Sequence, residues 1–262
     1  MINKSLNIEK LSIDYNNNTP NYVVIDKLFD NNFIKECEKE FMTIDDNEFI
    51  KYSNKYFEYE KYAMNDTSKM PKNLSILFDY IHSDEFIEFV SKVTSLDKLY
   101  VDEKRWGGGL HKTNPSGYLS MHKDFNVLPE SYTSKKQMLR CINLIGYITD
   151  ENTESSFGDL EFWNSSEERI HKINNKFNNW VLFDTRNNYH GHPYPYKGIK
   201  PRMSIASYYY IKTNIDSEVW SSTQYLKLPW MEDSEEYLNS REERASSKKR
   251  YKDFYKKNNK DE

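Results

Sequence analysis

The sequence predicts a mostly β protein with N-terminal helices: an antiparallel sandwich or barrel that carries its helices on the outside. Three observations lead there. From Leu99 onward, short aromatic and β-branched runs follow one another with no helical period between them. Turn-like or polar stretches separate those runs. Before Leu99, apolar residues recur at helical spacing behind capping residues. The 262 residues suffice for one large domain with a sizeable core. Only 37% are hydrophobic, but 21 Tyr, 14 Phe and 5 Trp supply apolar area and exclude long disorder.

In chain order, Tyr22–Ile25 reads as a short strand. Asp30 caps a helix whose Phe33, Ile34, Cys37 and Phe41 share one face. Leu74, Leu77, Phe78 and Ile81 suggest another helix. Ser83 caps a third, with Asp84 and Glu85 in the first turn, where the helix dipole favours acid. Strands are expected over Gly117–His122, Arg140–Thr149, Gly158–Trp163, Arg169–Ile173, Trp180–Asp184, Tyr189–Tyr194 and Arg202–Lys212. The helical part spans about 20–98 and the β unit about 99–212, within a single domain over 1–230. Glu232–Glu262 holds nine acidic and nine basic residues and few apolar ones, which reads as a charged tail, a solvated helix or frayed end with almost no apolar face to dock, with a regulatory or partner-binding tail as the alternative.

Several classes fall away. Mean hydropathy is −0.92, and no apolar run approaches the ~20 residues of a membrane span. No apolar stretch follows Met1–Ser5, so the expectation is a cytoplasmic protein without a leader, with Cys37 and Cys141 reduced. The net charge of −4 argues against a nucleic-acid partner. There is no Ser-His-Asp signature and no Cys-x-x-Cys zinc pattern. Gly107-Gly-Gly reads as a turn and His111 as a residue of a loop or of the layer behind the ligands, with a substrate contact as its alternative.

The chemistry concentrates in three places. His122 and Asp124 stand two apart, so on a strand both reach one side. A further histidine lies in Tyr189-His-Gly-His-Pro193. Two imidazoles and one carboxylate with open positions make the facial triad of non-haem Fe(II) oxygenases. His190 and His192 share a side, so periodicity leaves both open. Gly191 lets the chain turn close to a metal after His190, whereas Pro193 restricts His192 to extended backbone. Third, Arg202 and Ser204 share a strand face. An inward Arg needs a partner, and a dicarboxylate would supply one bidentately.

Taken together, the order His-x-Asp, His, Arg-x-Ser resembles the 2-oxoglutarate- and Fe(II)-dependent oxygenases, specifically the prolyl-hydroxylase-like branch. The resemblance runs from about Leu99 to Lys212 and more loosely back to about Tyr22. It is carried by Gly107–His111, Gly117–Asn126, Arg140–Ile148, Gly158–Trp163, Asn179–Phe183, Tyr189–Pro193 and Pro201–Ser204. It implies a double-stranded β-helix (jelly-roll, cupin-like) core flanked by helices. It also implies iron ligands at His122, Asp124 and His190. Arg202, assisted by Ser204, would hold the distal carboxylate of 2-oxoglutarate, with Tyr147 offering its hydroxyl to the same group. Two positions depart: Asp159 stands where the family has a second Gly, and Leu119 where prolyl hydroxylases often carry Tyr.

The implied cofactors are Fe(II), 2-oxoglutarate as cosubstrate and O2, with ascorbate stimulatory. The implied activity is hydroxylation of an unactivated C–H, with release of succinate and CO2. The substrate is an unidentified protein side chain such as proline, an amino acid or a glycan. The alternatives are a non-redox cupin-like metal- or sugar-binding module and a catalytically inactive scaffold. Oligomeric state is not legible in the sequence.

Overall fold

The computed structural model describes residues 1–131, 136–149, 157–186, 188–214, 221–228, 231–232 and 234–245. Four helices cover the N-terminal part: α1 (Ile8–Asn17), α2 (Asn31–Met42), α3 (Lys72–Ile81) and α4 (Asp84–Thr94). Asp30 accepts from the backbone of Asn32 and Phe33, and Ser83 from that of Phe86, so both expected caps form. The apolar faces of α2, α3 and α4 bury Ile34, Cys37, Phe41, Leu74, Leu77, Phe78, Phe86, Val90 and Val93. They pack with Cys141, Leu144, Trp180, Ile205 and Tyr209 of the strands in one continuous core. Both cysteines are buried and free.

Twelve strands follow the chain: β1 (Tyr22–Asp26), β2 (Ile50–Asn54), β3 (Glu58–Met64), β4 (Tyr100–Val101), β5 (Gly109–Lys123), β6 (Gln137–Tyr147), β7 (Leu160–Trp163), β8 (Arg169–Ile173), β9 (Asn179–Asp184), β10 (Tyr189–His192), β11 (Arg202–Thr213) and β12 (Gln224–Tyr225). The main ladder runs β1-β9-β6-β11-β5-β10-β7-β8. The named pairings are all antiparallel. The result is a nearly closed barrel, the double-stranded β-helix that the motifs imply. The expected strand over Gly117–His122 is the C-terminal half of the long β5, and Gly109 opens that strand. His111 therefore sits on a strand rather than in a loop.

Three features were not expected. The helix α1 was not anticipated. The hairpin β2–β3 adds to the edge of β5, placing Lys61 opposite Thr113 and Glu58 opposite Leu119. A further helix, α5, runs over 235–245 and docks on the barrel. Tyr237 is buried to 3% exposure against Tyr56 and Phe57, and Arg244 lies over the Phe57 and Tyr225 rings. That corrects the expectation of a tail with no face to dock: one aromatic and one long cation suffice. Residues 246–262 lie outside the described residues. No described helix is long and apolar enough to cross a membrane.

Candidate active site

The long strand β5 organises the site. Near one end Thr113 pairs with Arg202 of β11. Near the other, His122 pairs with His190 of β10 and with Tyr225 of β12. Between them the register with β10 shifts: Leu119 faces His192, three residues before His122 on β5 but only two past His190 on β10. The extra residue is a β-bulge, a device that re-aims a side chain. It lets Leu119 and His122 both line the barrel cavity, while Met121 packs outside with Trp163 and Leu228. Gly191 sits against the bulge, and a Cβ there would lie 2.7 Å from the Leu119 carbonyl oxygen.

His122, Asp124 and His190 each offer one ligand atom, and these atoms lie within 4.8 Å of one another. His122 Nε2 is 3.5 Å from Asp124 Oδ1, and His190 Nε2 is 3.6 Å from Asp124 Oδ2. The Ser120 carbonyl, 3.0 Å from His122 Nδ1, fixes the proton there and leaves the Nε2 lone pair facing Asp124. Burial pushes His190 down to about 3, so its imidazole is neutral and able to ligate. Burial alone would raise Asp124, but His190, His122 and Arg140 outweigh it and hold the carboxyl well below its usual range. Asp124 Oδ2 is buried with no hydrogen-bond partner among the described residues. Two imidazoles, that of His190 neutral, and an ionised carboxylate with an unsatisfied oxygen fit a divalent transition metal such as Fe(II).

His192, the other histidine of the pair, lines the same cavity but stands apart from this group. Its Nε2 lies 3.4 Å from Thr113 Oγ1. Arg202 is 5% exposed on the cavity wall. Its Nε donates to the Gly158 carbonyl at 2.6 Å and its Nη1 to Ser204 Oγ at 3.4 Å. Gly158 adopts φ +122°, and a Cβ there would press to 3.1 Å from Arg202 Cδ, so glycine is required for that bond. Tyr147 lies behind Arg202, whose guanidinium is 4.9 Å from the ring centroid. Its buried hydroxyl has no partner among the described residues. Of the two departures, Leu119 lines the cavity, whereas Asp159 turns to Lys172 at 2.9 Å.

Residues 108–210 match the sequence model of the 2OG-Fe(II) oxygenase superfamily. The matched stretch runs from β5 into β11 and carries the His122, Asp124 and His190 group. The family defines the enzyme class, a dioxygenase dependent on Fe(II) and 2-oxoglutarate. Solved structures share the fold of this oxygenase. A prolyl-4-hydroxylase from Pseudomonas putida is 10% identical with a TM-score of 0.57, over 78% of this chain and 98% of that one. A prolyl hydroxylase from Trichoplax adhaerens, solved with a hypoxia-inducible-factor peptide fragment, is 16% identical with a TM-score of 0.56, over 78% and 90%. HygX from Streptomyces hygroscopicus, solved with nickel, 2-oxoglutarate and hygromycin B, is 12% identical with a TM-score of 0.53, over 85% and 97%. Among curated proteins none matches the oxygenase by sequence.

Sequence reading missed several groups in the oxygenase cavity. Arg140 stood in an expected strand, but nothing in its spacing announced that it reaches Asp124. Glu58 and Lys61 came with the unrecognised hairpin, and Tyr225 and Arg244 with the C-terminal segments. Tyr208 lines the cavity together with Arg202, Ser204 and Ala206 of β11.

Proposed function

We propose that the protein hydroxylates an unactivated C–H bond of a substrate bound in the barrel, with His122, Asp124 and His190 holding Fe(II). The observation that carries this is co-location. The three ligand residues and the Arg202–Ser204 pair line one cavity of about 340 Å³. Iron, when bound, supplies oxygen activation coupled to decarboxylation of 2-oxoglutarate. The net reaction is R–H + O2 + 2-oxoglutarate giving R–OH + succinate + CO2.

The chain's own residues bind, orient and shield. Arg202, its Nε tied to Gly158, presents the outer edge of its guanidinium to the distal carboxylate, with Ser204 beside it and Tyr147 behind. Ser120 holds the His122 ring in its ligating tautomer. Arg140 holds Asp124 through Oδ1. Phe183 packs edge-on to His190 and Tyr225 stacks on His122, which keeps bulk water from both rings. Ascorbate as a stimulant belongs to the same reading, since uncoupled turnover oxidises the metal.

Succinate release on mixing the protein with Fe(II), ascorbate and 2-oxoglutarate tests the reading. Turnover that is abolished in His122→Ala supports it. A metal-loaded protein that binds but never consumes 2-oxoglutarate would instead be the inactive scaffold.

A further inference from the structure

Four side chains on the cavity wall have no part in holding iron or 2-oxoglutarate. Glu58 and Lys61 come from β3, Tyr225 from β12 and Arg244 from α5, and all four line the cavity of the metal triad. Lys61 Nζ is 3.3 Å from Glu58 Oε2. Arg244 Nη2 is 3.7 Å from Glu58 Oε1 and donates to the Tyr225 hydroxyl at 3.1 Å, while Tyr225 donates to Glu58. Glu58 and Lys61 are each only 9% exposed. Arg244 Nε is buried with no hydrogen-bond partner among the described residues.

The charges do not balance. Among the described lining residues, the cations are Lys61, Arg140, Arg202 and Arg244, and the anions are Glu58 and Asp124. Arg140 faces Asp124, and Arg202 is taken by the cosubstrate's distal carboxylate. Lys61 and Arg244 are left to share the single carboxylate of Glu58. One cation is in excess, and a half-buried cation without a counter-charge is costly.

We propose that the prime substrate of this oxygenase is a small free carboxylic acid, amino acids included, whose carboxylate docks between Lys61 and Arg244. The assignment rests on the oxygenase reading and names its substrate class. Arg244 has the planar fork that takes a carboxylate in two hydrogen bonds, with its Nε still unused. Ile50, Tyr52 and Ala63 beside it offer apolar surface for a carbon skeleton. Size points the same way. The cavity of about 340 Å³ is at the small end of the ~300–1,000 Å³ of ligand sites, and it must also hold 2-oxoglutarate. The helix α5, anchored by Tyr237 on Tyr56 and Phe57, brings Arg244 to the cavity wall.

The test uses the full chain with Fe(II), 2-oxoglutarate and ascorbate. The probes are the twenty free L-amino acids and short mono- and dicarboxylic acids, each beside its carboxamide, plus acidic peptides. Two readouts are taken: 2-oxoglutarate consumption above the uncoupled rate, and quenching of tryptophan fluorescence on binding, since Trp106 lines the cavity. At least one free acid is expected to stimulate tenfold or more, with its carboxamide at least tenfold weaker in both readouts. Arg244→Leu and Lys61→Met should each raise the half-saturating acid concentration at least tenfold. The carboxamide comparison needs no variant, so a folding failure at buried Lys61 leaves it intact. Uncoupled succinate release with no response to any free acid overturns the assignment and spares the oxygenase reading, as does a carboxamide equal to its acid or a response to peptides alone. Absence of succinate release under every condition removes both.

Discussion

The Arg140 guanidinium stands 3.7 Å from Asp124, between the rings of Phe125 and Tyr208 at 3.6 and 3.5 Å from their centroids. Its Nη2 donates to the Trp106 carbonyl at 2.5 Å and the Tyr210 hydroxyl at 3.1 Å. A buried carboxylate that must ligate a cation is thus held ionised by a protein cation at its Oδ1. Arg140→Leu should lower the unfolding free energy of the metal-free protein by roughly 3 kcal/mol, because removing one partner strands the other. Added divalent metal should restore part of that loss. Arg140→Lys should not rescue, since the ammonium lacks the planar fork and the stacking face. Denaturant unfolding with and without metal checks all three.

Arg202→Ala should weaken 2-oxoglutarate more than iron. A charged hydrogen-bonded contact contributes roughly 1.5–3 kcal/mol, so the apparent Michaelis constant should rise ~10- to 100-fold. Collapse of metal affinity with an unchanged 2-oxoglutarate constant would show that Arg202 is not the anchor.

The two neighbouring histidines should separate cleanly. His190→Ala should lose both metal affinity and turnover, because its Nε2 lies beside Asp124. His192→Ala should keep the metal, because its ring turns to Thr113. Equilibrium metal titration of the two variants decides, and the reverse pattern would exchange their roles.

Tyr237→Ala should cost about 2 kcal/mol, the transfer free energy of one large buried side chain. For a domain of this size that lowers Tm by roughly 4–8 °C. An unchanged melting curve would mean that α5 does not stay docked in solution.

Glu58 sets an acid limit. Burial would raise its carboxyl, but Lys61, Tyr225 and Arg244 outweigh burial and bring it down to about 2. The folded value lies below the unfolded ~4.3, so its contribution is fully present above that pH and fades as pH falls toward 2. The shift corresponds to roughly 3 kcal/mol at neutral pH. The stability gap between wild type and Glu58→Gln should therefore narrow by about 2 kcal/mol between pH ~5 and ~2.5. A constant gap would mean that Glu58 titrates normally.

The legible parts of the sequence were those where one physical rule acts alone. The caps at Asp30 and Ser83 and the apolar stripes behind them needed only helix periodicity. Strands such as Arg169–Ile173 and Arg202–Thr213 needed only β-branched and aromatic runs between turns. The hairpin β2–β3 broke the rule that inward means apolar, because Glu58 and Lys61 face a ligand cavity. Its alternation is also interrupted at Glu60, at φ +46°, where the register with β5 shifts. The one local sign was Asn54, whose side chain accepts from the Tyr56 backbone and turns the chain. Arg140, Tyr225 and Arg244 gave no such sign, since their partners arrive from distant parts of the chain.

The bulge in β5 makes metal competence a matter of parity. Side chains alternate with a period of two, so one surplus residue inverts the sense of everything after it. Deleting Ser120 or Met121 would leave a paired, apolar strand with every ligand residue still present in the sequence. His122 would then point where Met121 now packs against Trp163 and Leu228. A relative that kept all three ligands but was one residue shorter here would carry the signature of an oxygenase on a barrel unable to gather them.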